Sequence, residues 1–423
     1  MHRILTLALC VAIDAAAVRA QSPDDAIRRL IESPSFGQAT AFIDADYDRF
    51  VRDVIALTEI PAPPFKEQRR AAAFLEMLRH EGLSGVEVDG EGNTMGVRKG
   101  AGGGPMLAVV AHLDTVFPEG TDVTVRREGT RLMAPGVGDD TRGLALLLAI
   151  VRAMDVARFR THSDILFVGN VGEEGEGDLR GVKYLLRKGK YKDRIKQVIA
   201  IDGGEQGAIT TGGVGSTRYR VTFKGPGGHS YGAFGLVNPA FAMGNAIEKF
   251  SRIKTPATPK TTFNVGVVGG GTSVNSIPSE VHMDIDMRSE SCAELKKLDD
   301  AFQQILRAAV DEENRARSTA EGRIEVDPKM IGERPCGATP LTSPIVQTTS
   351  AVVKAFGLTP SYGISSTDSN IPMSMGIPAV TIGRGGPAGR SHSLDEWTDV
   401  NKAGVVQSVR VALAIVLAVA GVE

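Results

Sequence analysis

The stretch M-L-A-V-V-A-H-L-D (residues 106–114) joins six apolar residues directly to a histidine and an aspartate. An apolar run of this length, without polar alternation, is typical of a strand that is buried on both faces of a parallel sheet. Two later stretches, I-L-F-V (165–168) and Q-V-I-A-I (197–201), have a similar character. Helical patterns separate the three stretches, which predicts an α/β fold with a mostly parallel central sheet.

Candidate metal ligands follow each of these predicted strands. His112 follows the first strand, Glu173 and Glu174 come after the second, and Asp202 follows the third. The carboxyl ends of parallel strands meet at one edge of a sheet, where α/β proteins bind their ligands. Histidine nitrogen and carboxylate oxygen are typical zinc ligands, so the sequence predicts a metal site at this edge.

The adjacent carboxylates of Glu173 and Glu174 indicate a division of roles. Neighbouring residues of an extended chain point to opposite sides, so Glu174 can face a metal while Glu173 faces the water beside it. A general base next to a Lewis acid is the basis of metal-assisted hydrolysis. Two exposed loop glutamates are the alternative, which the neighbouring candidate ligands disfavour. Two further candidate ligands are Asp139, in a glycine-flanked loop before a helix, and His392.

The sequence pattern changes after Gly213. Residues 214–335 combine alternating, half-exposed strands with two amphipathic helices in the order β-α-β-β-α-β, and the last strand is predicted at 323–326. This order is typical of a ferredoxin-like α+β module, and the α/β pattern resumes after it. The sequence therefore predicts an α/β domain in two parts, 21–213 and 336–423, with an inserted domain at 214–335.

The composition limits the classes of partner. The 423 residues carry a formal net charge of −2, which gives no reason to expect nucleic acid or an anionic membrane surface as a partner. The apolar segment at 405–419 is interrupted by Ser408 and Arg410. It therefore predicts a packed terminal helix rather than a membrane span.

The N-terminal 20 residues predict a secretory signal peptide. His2 and Arg3 precede an apolar run, and a small-residue stretch ends at Ala20, where cleavage is expected. A periplasmic or secreted location follows. In such a compartment Cys292 and Cys336 could form a disulfide, and two free buried thiols are the alternative that the sequence leaves open.

A series of motifs along the chain resembles the M20 family of di-zinc metallopeptidases and deacylases. The resemblance covers nearly all of the chain that follows the predicted signal peptide. It implies a zinc-binding α/β domain that carries an inserted lid, or dimerisation, domain, and hence a homodimer. The motifs are H-L-D-T-V (112–116), G-V-G-D-D-T-R-G (136–143), G-E-E-G-E-G (172–177), I-D-G-G-E (201–205), G-P-G-G-H-S (225–230), N-S-I-P (275–278), D-M-R (286–288) and S-H-S-L-D-E (391–396).

The resemblance implies a complete metal centre with zinc as the cofactor, although Co²⁺ or Mn²⁺ could replace it. The peptide between Asp139 and Asp140 would be cis, as it commonly is in the family. Two metals together can activate water and polarise a carbonyl. The implied ligands are His112 and Asp202 on one zinc, Glu174 and His392 on the other, and Asp139 bridging both.

The resemblance also implies roles for residues around the metals. Glu173 would be the general base and acid, and Asp114 would orient His112. From the inserted domain, His229 would stabilise the oxyanion, often from the partner subunit. Asn275 and Arg288 would hold polar or carboxylate groups of the substrate, a task that suits arginine through bidentate hydrogen bonding.

Two residues near the end of the chain have less definite interpretations. Arg384, in G-R-G-G (383–386), is more simply explained as a solvated loop arginine than as a substrate ligand. Asp368 lies where the family often has a supporting acid, and the sequence gives it no direct role.

The residue at position 202 bears on the substrate. In this family it is aspartate mainly in peptidases that act near a free amino terminus, and glutamate mainly in deacylases and carboxypeptidases. I-D-G-G-E also resembles the tripeptide aminopeptidase branch. The resemblance therefore implies an exopeptidase of short peptides, of aminopeptidase type. The alternatives are an N-acyl-amino-acid deacylase or carboxypeptidase-type amidohydrolase, and an inactive binding protein, against which Glu173 and the full ligand set argue.

Overall fold

A computed structural model describes residues 23–102 and 104–422. The predicted signal peptide, residues 1–20, lies outside the described residues. Helices and strands alternate along most of the chain. The helices are α1 (Pro23–Glu32), α2 (Pro34–Ala45), α3 (Tyr47–Thr58), α4 (Gln68–His80), α5 (Thr141–Val156), α6 (Arg180–Arg187), α7 (Pro239–Ser251), α8 (Cys292–Ala316), α9 (Pro344–Ala355), α10 (Asn370–Ser374) and α11 (Lys402–Ala420). The strands are β1 (Ser84–Val88), β2 (Thr94–Arg98), β3 (Met106–His112), β4 (Arg126–Glu128), β5 (Arg131–Met133), β6 (Ile165–Asn170), β7 (Ile195–Ile201), β8 (Ala208–Gly213), β9 (Gly215–Lys224), β10 (Gly228–His229), β11 (Thr261–Gly270), β12 (Ser276–Ile277), β13 (Glu280–Ser289), β14 (Glu325–Arg334), β15 (Gly337–Ala338), β16 (Ser361–Ser365), β17 (Ala379–Ile382), β18 (Ala388–Gly389) and β19 (Trp397–Asp399).

The central sheet has the strand order β1-β2-β6-β3-β7-β17-β8-β15, and β16 pairs with β8. The four strands from β6 to β17 are parallel to one another, and β2 and β8 join them antiparallel on either side. Every residue of β3 and β6 is buried, because helices cover both faces of the sheet. The predicted α/β fold with a mostly parallel sheet is confirmed.

Two apolar layers enclose this sheet. The larger one packs α2, α3, α5, α9 and α11 against one face, and the smaller one packs α6 and α10 against the other. Helix α11 is long and apolar enough to cross a membrane by length and composition, but 61% of its most apolar window is buried in the protein. Its side chains pack against α5 and α9, as predicted for a packed terminal helix.

The second large sheet has the order β14-β9-β13-β11, and all of its neighbouring strands are antiparallel. With α7 and α8 packed on one face, this is the ferredoxin-like arrangement that the order β-α-β-β-α-β predicts. Buried and half-buried residues alternate along β13, since only one face of the sheet is covered. The last strand, predicted at 323–326, is wrong in extent because β14 runs from Glu325 to Arg334.

A disulfide joins Cys292, at the start of α8, to Cys336, just after β14. The two Cα atoms lie 5.6 Å apart. The structure thus forms the bond that the sequence left open, and the alternative of two free thiols is wrong. A Cβ atom on Gly215, where the chain enters β9, would lie 2.9 Å from Cys336 Cβ. The two strands that connect the second sheet to the rest of the chain therefore pass each other closely at this point.

Candidate active site

A cavity of about 700 Å³ lies at the carboxyl ends of the parallel strands, between the two large sheets. Loops after β6, β7 and β17 supply one wall, and strands of the second sheet supply the other. The predicted site residues that line it are Asp139, Glu173, Glu174, Asp202, Arg288 and His392.

A compact ligand cluster occupies the floor of this cavity. One ligand atom from each of His112, Asp139 and Glu174 lies within 4.8 Å of the others. His112 Nε2 is 3.2 Å from Asp139 Oδ1, while His392 Nε2 is 3.3 Å from Asp139 Oδ2 and 2.9 Å from Glu174 Oε1. The two oxygens of Asp139 therefore face two different histidines, which is the arrangement of a bridging carboxylate.

The spacing of these atoms fits divalent cations. Two ligands bound at about 2.0 Å in a tetrahedral site lie roughly 3.3 Å apart, close to the separations within this cluster. His112 Nδ1 lies 3.0 Å from the main-chain oxygen of Asp114. Because only a protonated nitrogen donates to a carbonyl, Nδ1 carries a proton, and Nε2 is the ring nitrogen that faces the cluster.

The neighbouring carboxylates raise the pKa values of both histidines in this cluster. Burial opposes protonation of His112, but the hydrogen bond to Asp139 and nearby carboxylates outweigh it and raise its pKa well above the usual range. Hydrogen bonds to Asp139 and Glu174 raise the pKa of His392 to about 10. A histidine gives up such a proton when it becomes a metal ligand, so metal binding at this cluster would be coupled to proton release.

Asp114 acts through its main chain and its side chain in different ways. Its carbonyl oxygen orients His112, whereas its carboxylate oxygen Oδ1 is 3.7 Å from His112 Nδ1. The carboxylate instead accepts hydrogen bonds from the N–H groups of Glu173 (2.9 Å) and Glu174 (2.7 Å). The resemblance implies that Asp114 orients His112, and its main-chain oxygen makes that contact, while its carboxylate also fixes the loop that carries both glutamates.

Glu173 is buried beside the cluster and contacts Arg334. Its Oε1 accepts a hydrogen bond from Arg334 Nη1 at 3.1 Å, and its main-chain oxygen accepts one from Nη2. Burial and the charge of Glu174 raise the pKa of Glu173 well above its usual range, although Arg334 opposes this shift. Sequence reasoning missed Arg334, because an arginine at the end of an exposed edge strand carries no local signal of its partner.

The loop that carries Asp139 is held by Glu396, the last residue of the motif S-H-S-L-D-E. Glu396 is fully buried. It accepts hydrogen bonds from the N–H groups of Gly136 (2.9 Å), Gly138 (2.9 Å) and Asp139 (2.8 Å). The peptide between Asp139 and Asp140 is cis, as the resemblance implies. Glu396 thus sets the direction of the bridging carboxylate, a role that the motif alone did not show.

Arg384 is buried within the acidic cluster, so its interpretation as a solvated loop residue is wrong. Its Nη1 lies 3.2 Å from Asp139 Oδ1 and 3.3 Å from Asp202 Oδ1. Asp202 therefore joins the cluster through this guanidinium. Burial and the charge of Asp139 raise the pKa of Asp202 to about 6. The buried strand β17, two residues before Arg384, was the signal that could have indicated its position.

Asp368 lies behind the ligands. Its Oδ2 accepts a hydrogen bond from Asn170 Nδ2 at 2.8 Å, and its buried Oδ1 finds no partner among the described residues. Burial raises the pKa of Asp368 to about 7. The side chain is thus close enough to affect the charge of the site.

The predicted residues of the inserted domain divide into two groups. His229 and Asn275 lie together, since β10 pairs with β12 and Ser230 N donates to Asn275 O at 2.9 Å. Both are exposed, and neither is among the described residues that line the cavity. His229 Nδ1 accepts from Tyr231 N at 3.2 Å, so Nε2 carries the proton and can donate. Arg288 does line the cavity.

Comparison with known proteins agrees with this geometry. The model of peptidase family M20/M25/M40 matches residues 108–418. Carboxypeptidase G2 from Pseudomonas sp. is 25% identical over 219 residues, which are 50% of this chain and 52% of that protein, so the chain spans about half the length of this relative.

Solved structures share the fold. Aminopeptidase PepT from Bacillus cereus aligns with a TM-score of 0.71 at 20% identity, over 89% of this chain and 99% of that chain. The YXEP protein from Bacillus subtilis, a dinuclear metal binding peptidase from the M20 family, aligns with a TM-score of 0.65 at 16% identity, over 88% and 98% of the two chains. The family resemblance found in the motifs is confirmed: this chain belongs to peptidase family M20/M25/M40.

Proposed function

We propose that this protein is a zinc-dependent exopeptidase of short peptides, with two metal ions per chain and Glu173 as its general base and acid. The observation that carries the proposal is the buried carboxylate of Glu173 next to a cluster in which Asp139 faces both His112 and His392. Bound divalent ions would supply Lewis acidity to the scissile carbonyl and lower the pKa of the attacking water.

The residues of the chain carry the proton transfers. Since Glu173 Oε1 accepts from Arg334, we assign the proton of the attacking water to Oε2. The raised pKa of Glu173 suits this task, because a base that later acts as an acid works best near the ambient pH. Glu173 then delivers the proton to the leaving amine. Asp114 keeps Glu173 in place throughout, through its hydrogen bond to the Glu173 N–H.

The inserted domain supports a homodimer. His229 lies outside the cavity of its own chain, and its Nε2–H can donate to an oxyanion only if another copy presents it. Large apolar side chains near it are exposed: Tyr231 is 87% exposed, Phe234 is 90% exposed and Val274 is fully exposed. A second copy that covers these side chains would bring His229 to the partner's cavity. Size measurement in solution by light scattering tests this step.

The end of the peptide at which the enzyme cleaves is also proposed. Asp202 and the likeness to the family's tripeptide aminopeptidases favour cleavage at the amino end. A second candidate is a carboxypeptidase-type or N-acyl-amino-acid amidohydrolase. It is favoured by the arginines that line the cavity, Arg218, Arg288 and Arg334, because guanidinium groups bind substrate carboxylates.

Two experiments test the proposal. Turnover of free tripeptides is compared with that of N-acetylated tripeptides and of N-acyl amino acids, and preference for blocked substrates would favour the second candidate. Glu173→Gln should keep the metals and lose most of kcat, whereas near-normal kcat would remove Glu173 as the base. The secretory location is also proposed, and N-terminal sequencing of the purified protein that finds Met1 retained would contradict it.

A further inference from the structure

We propose that Arg384 is an internal cation that competes with a metal ion for Asp202 and so makes the two metal positions unequal in affinity. The position formed by Glu174, His392 and Asp139 would fill first, and the position of Asp202 would fill second. The inference rests on the proposed dinuclear centre and adds the order and the relative strength of its two sites.

The contacts of Arg384 carry the asymmetry. Its Nη1 lies within 3.3 Å of Asp139 Oδ1 and Asp202 Oδ1, and 3.6 Å from Asp140 Oδ1. In the described part of the chain, no hydrogen bond or ion pair joins Arg384 to Asp139 Oδ2 or to Glu174, the two groups that face His392. The guanidinium therefore offsets the negative charge of the carboxylates at the Asp202 position. It does not offset the charge of Glu174 at the position that includes His392.

The position of the guanidinium is fixed by the fold. Arg384 N donates to the carbonyl of Gly203, the residue after Asp202, at 3.2 Å. Arg142, which is itself fully buried on α5, donates from Nε to the carbonyl of Arg384 at 3.3 Å. Only 5% of the surface of Arg384 is exposed, so its side chain can reach solvent only if the loop after β17 opens. A buried arginine also stays charged, so its competition with a cation persists across the working pH range.

The consequence is a stepwise metal equilibrium. A cation held by Asp139 and Asp202 would lie close to the fixed positive charge of Arg384 and would share both carboxylates with it. A cation between Asp139 Oδ2, Glu174 and His392 meets no such competitor in the described part of the chain. The positive charges of the metal ion and of the Arg384 guanidinium repel each other strongly in a buried site. This repulsion weakens binding at the Asp202 position, the second step, more than binding at the first position. We expect the second Kd to exceed the first by at least tenfold, which corresponds to about 1.4 kcal/mol.

The test is a metal titration of the intact protein. Zn²⁺ and Co²⁺ are titrated by calorimetry into the metal-free wild type and Arg384→Met, and the Co²⁺ absorption bands follow the two steps separately. Removal of the Arg384 charge in Arg384→Met should lower the ratio of the second Kd to the first Kd at least tenfold. Arg384→Lys retains the charge and should keep most of the wild-type ratio. Circular dichroism verifies folding, and if Arg384→Met does not fold, Arg384→Gln takes its place.

Arg220→Met is the matched control. Arg220 forms a bidentate pair with Asp284 on the second sheet, so its removal deletes an arginine–aspartate pair away from the cluster. It should leave both Kd values unchanged. Equal Kd values for the two steps in the wild type would overturn the inference. So would a second Kd that is higher in Arg384→Met than in the wild type, or a ratio of the two Kd values that is the same in both proteins. Failure of the proposed function looks different, because the wild type would then bind no stoichiometric metal or would bind two ions without hydrolysing any peptide.

Discussion

Glu396 offers a direct test of how the bridging aspartate is held. Glu396→Ala removes the acceptor of three main-chain N–H groups, those of Gly136, Gly138 and Asp139. A buried donor that loses its acceptor costs about 2 kcal/mol, so the three donors together cost about 6 kcal/mol. The wild-type carboxylate is itself costly to bury, which partly offsets this loss.

The raised pKa of Glu396 gives the size of the cost of burying its carboxylate. Burial, and after it the charge of Asp139, raises the pKa of Glu396 from 4.5 to about 6. A shift of this size corresponds to about 2 kcal/mol against the ionised form at neutral pH. The net expectation for Glu396→Ala is therefore a loss of about 4 kcal/mol in the free energy of unfolding of the metal-free protein. Glu396→Gln keeps the side-chain volume and one acceptor oxygen, so it leaves only the Gly136 donor unpaired at a cost of about 2 kcal/mol, and removal of the buried charge offsets this to a net change near zero.

Urea denaturation of the metal-free protein measures the stability, and metal titration measures the site. Since Glu396 aims Asp139, metal affinity should fall by roughly 10- to 100-fold in Glu396→Ala, as for other groups that orient a metal ligand. The neighbour Asp395 is the control, because its exposed pair with Arg390 is worth about 1 kcal/mol or less. A loss below 1 kcal/mol in Glu396→Ala, with unchanged metal affinity, would refute the reasoning.

Three further predictions concern pH, the disulfide and the metals. The folded pKa of Glu396, about 6, exceeds its unfolded value near 4.5, so its titration contributes stability that is complete below pH 4.5 and lost as the pH rises through 6. In the metal-free protein the stability of the wild type relative to Glu396→Gln should therefore fall by about 2 kcal/mol between pH 4.5 and 7, which urea titrations at several pH values measure. The double variant Cys292→Ser, Cys336→Ser opens a loop closed over a sequence separation of 44 residues, and its stability should drop by about 4 kcal/mol in the same assay. A loss under 1 kcal/mol would contradict the loop-closure argument. Excess Zn²⁺ at 100 times Kd should stabilise the protein by about 2.7 kcal/mol, and calorimetry that finds the same Tm with and without a chelator would count against a folded-state metal site.

Much of the fold could be predicted from local sequence. The strands β3 and β6 are buried along their whole length and β7 is buried over its last four residues, so apolar runs at 106–111, 165–168 and 198–201 indicate them with little ambiguity. β14 was predicted too short, because it is an edge strand whose exposed residues carry little periodicity and which is interrupted by a bulge near Met330. It also contains Pro328, a residue that suits an edge strand and is usually taken as a breaker.

The site was predicted as far as its residues follow strands or match motifs. Glu396 lies in such a motif and Arg384 lies two residues after β17, but neither position reveals its partner, because that partner is far away in the sequence. Glu396 and Gly138 are 258 residues apart, and Arg384 and Asp139 are 245 apart. Their roles depend on which loops the sheet order brings together, with β17 placed next to β7. A pattern within a short window cannot contain that information.

The candidate ligands and the charged residues around them contribute differently to the chemistry of this chain. His112, Glu173, Glu174 and Asp202 lie at or just after strand ends, and the motifs that resemble the family contain all of the candidate ligands. The charge around them comes from Arg384, Arg334 and Glu396, whose side chains reach the cluster from separate segments. Arg384 carries a positive charge into the set of carboxylates proposed to bind the metals, so its replacement should alter metal affinity without removing a candidate ligand. Metal stoichiometry and affinity, rather than turnover alone, are therefore the measurements that separate the shared machinery from the features specific to this sequence.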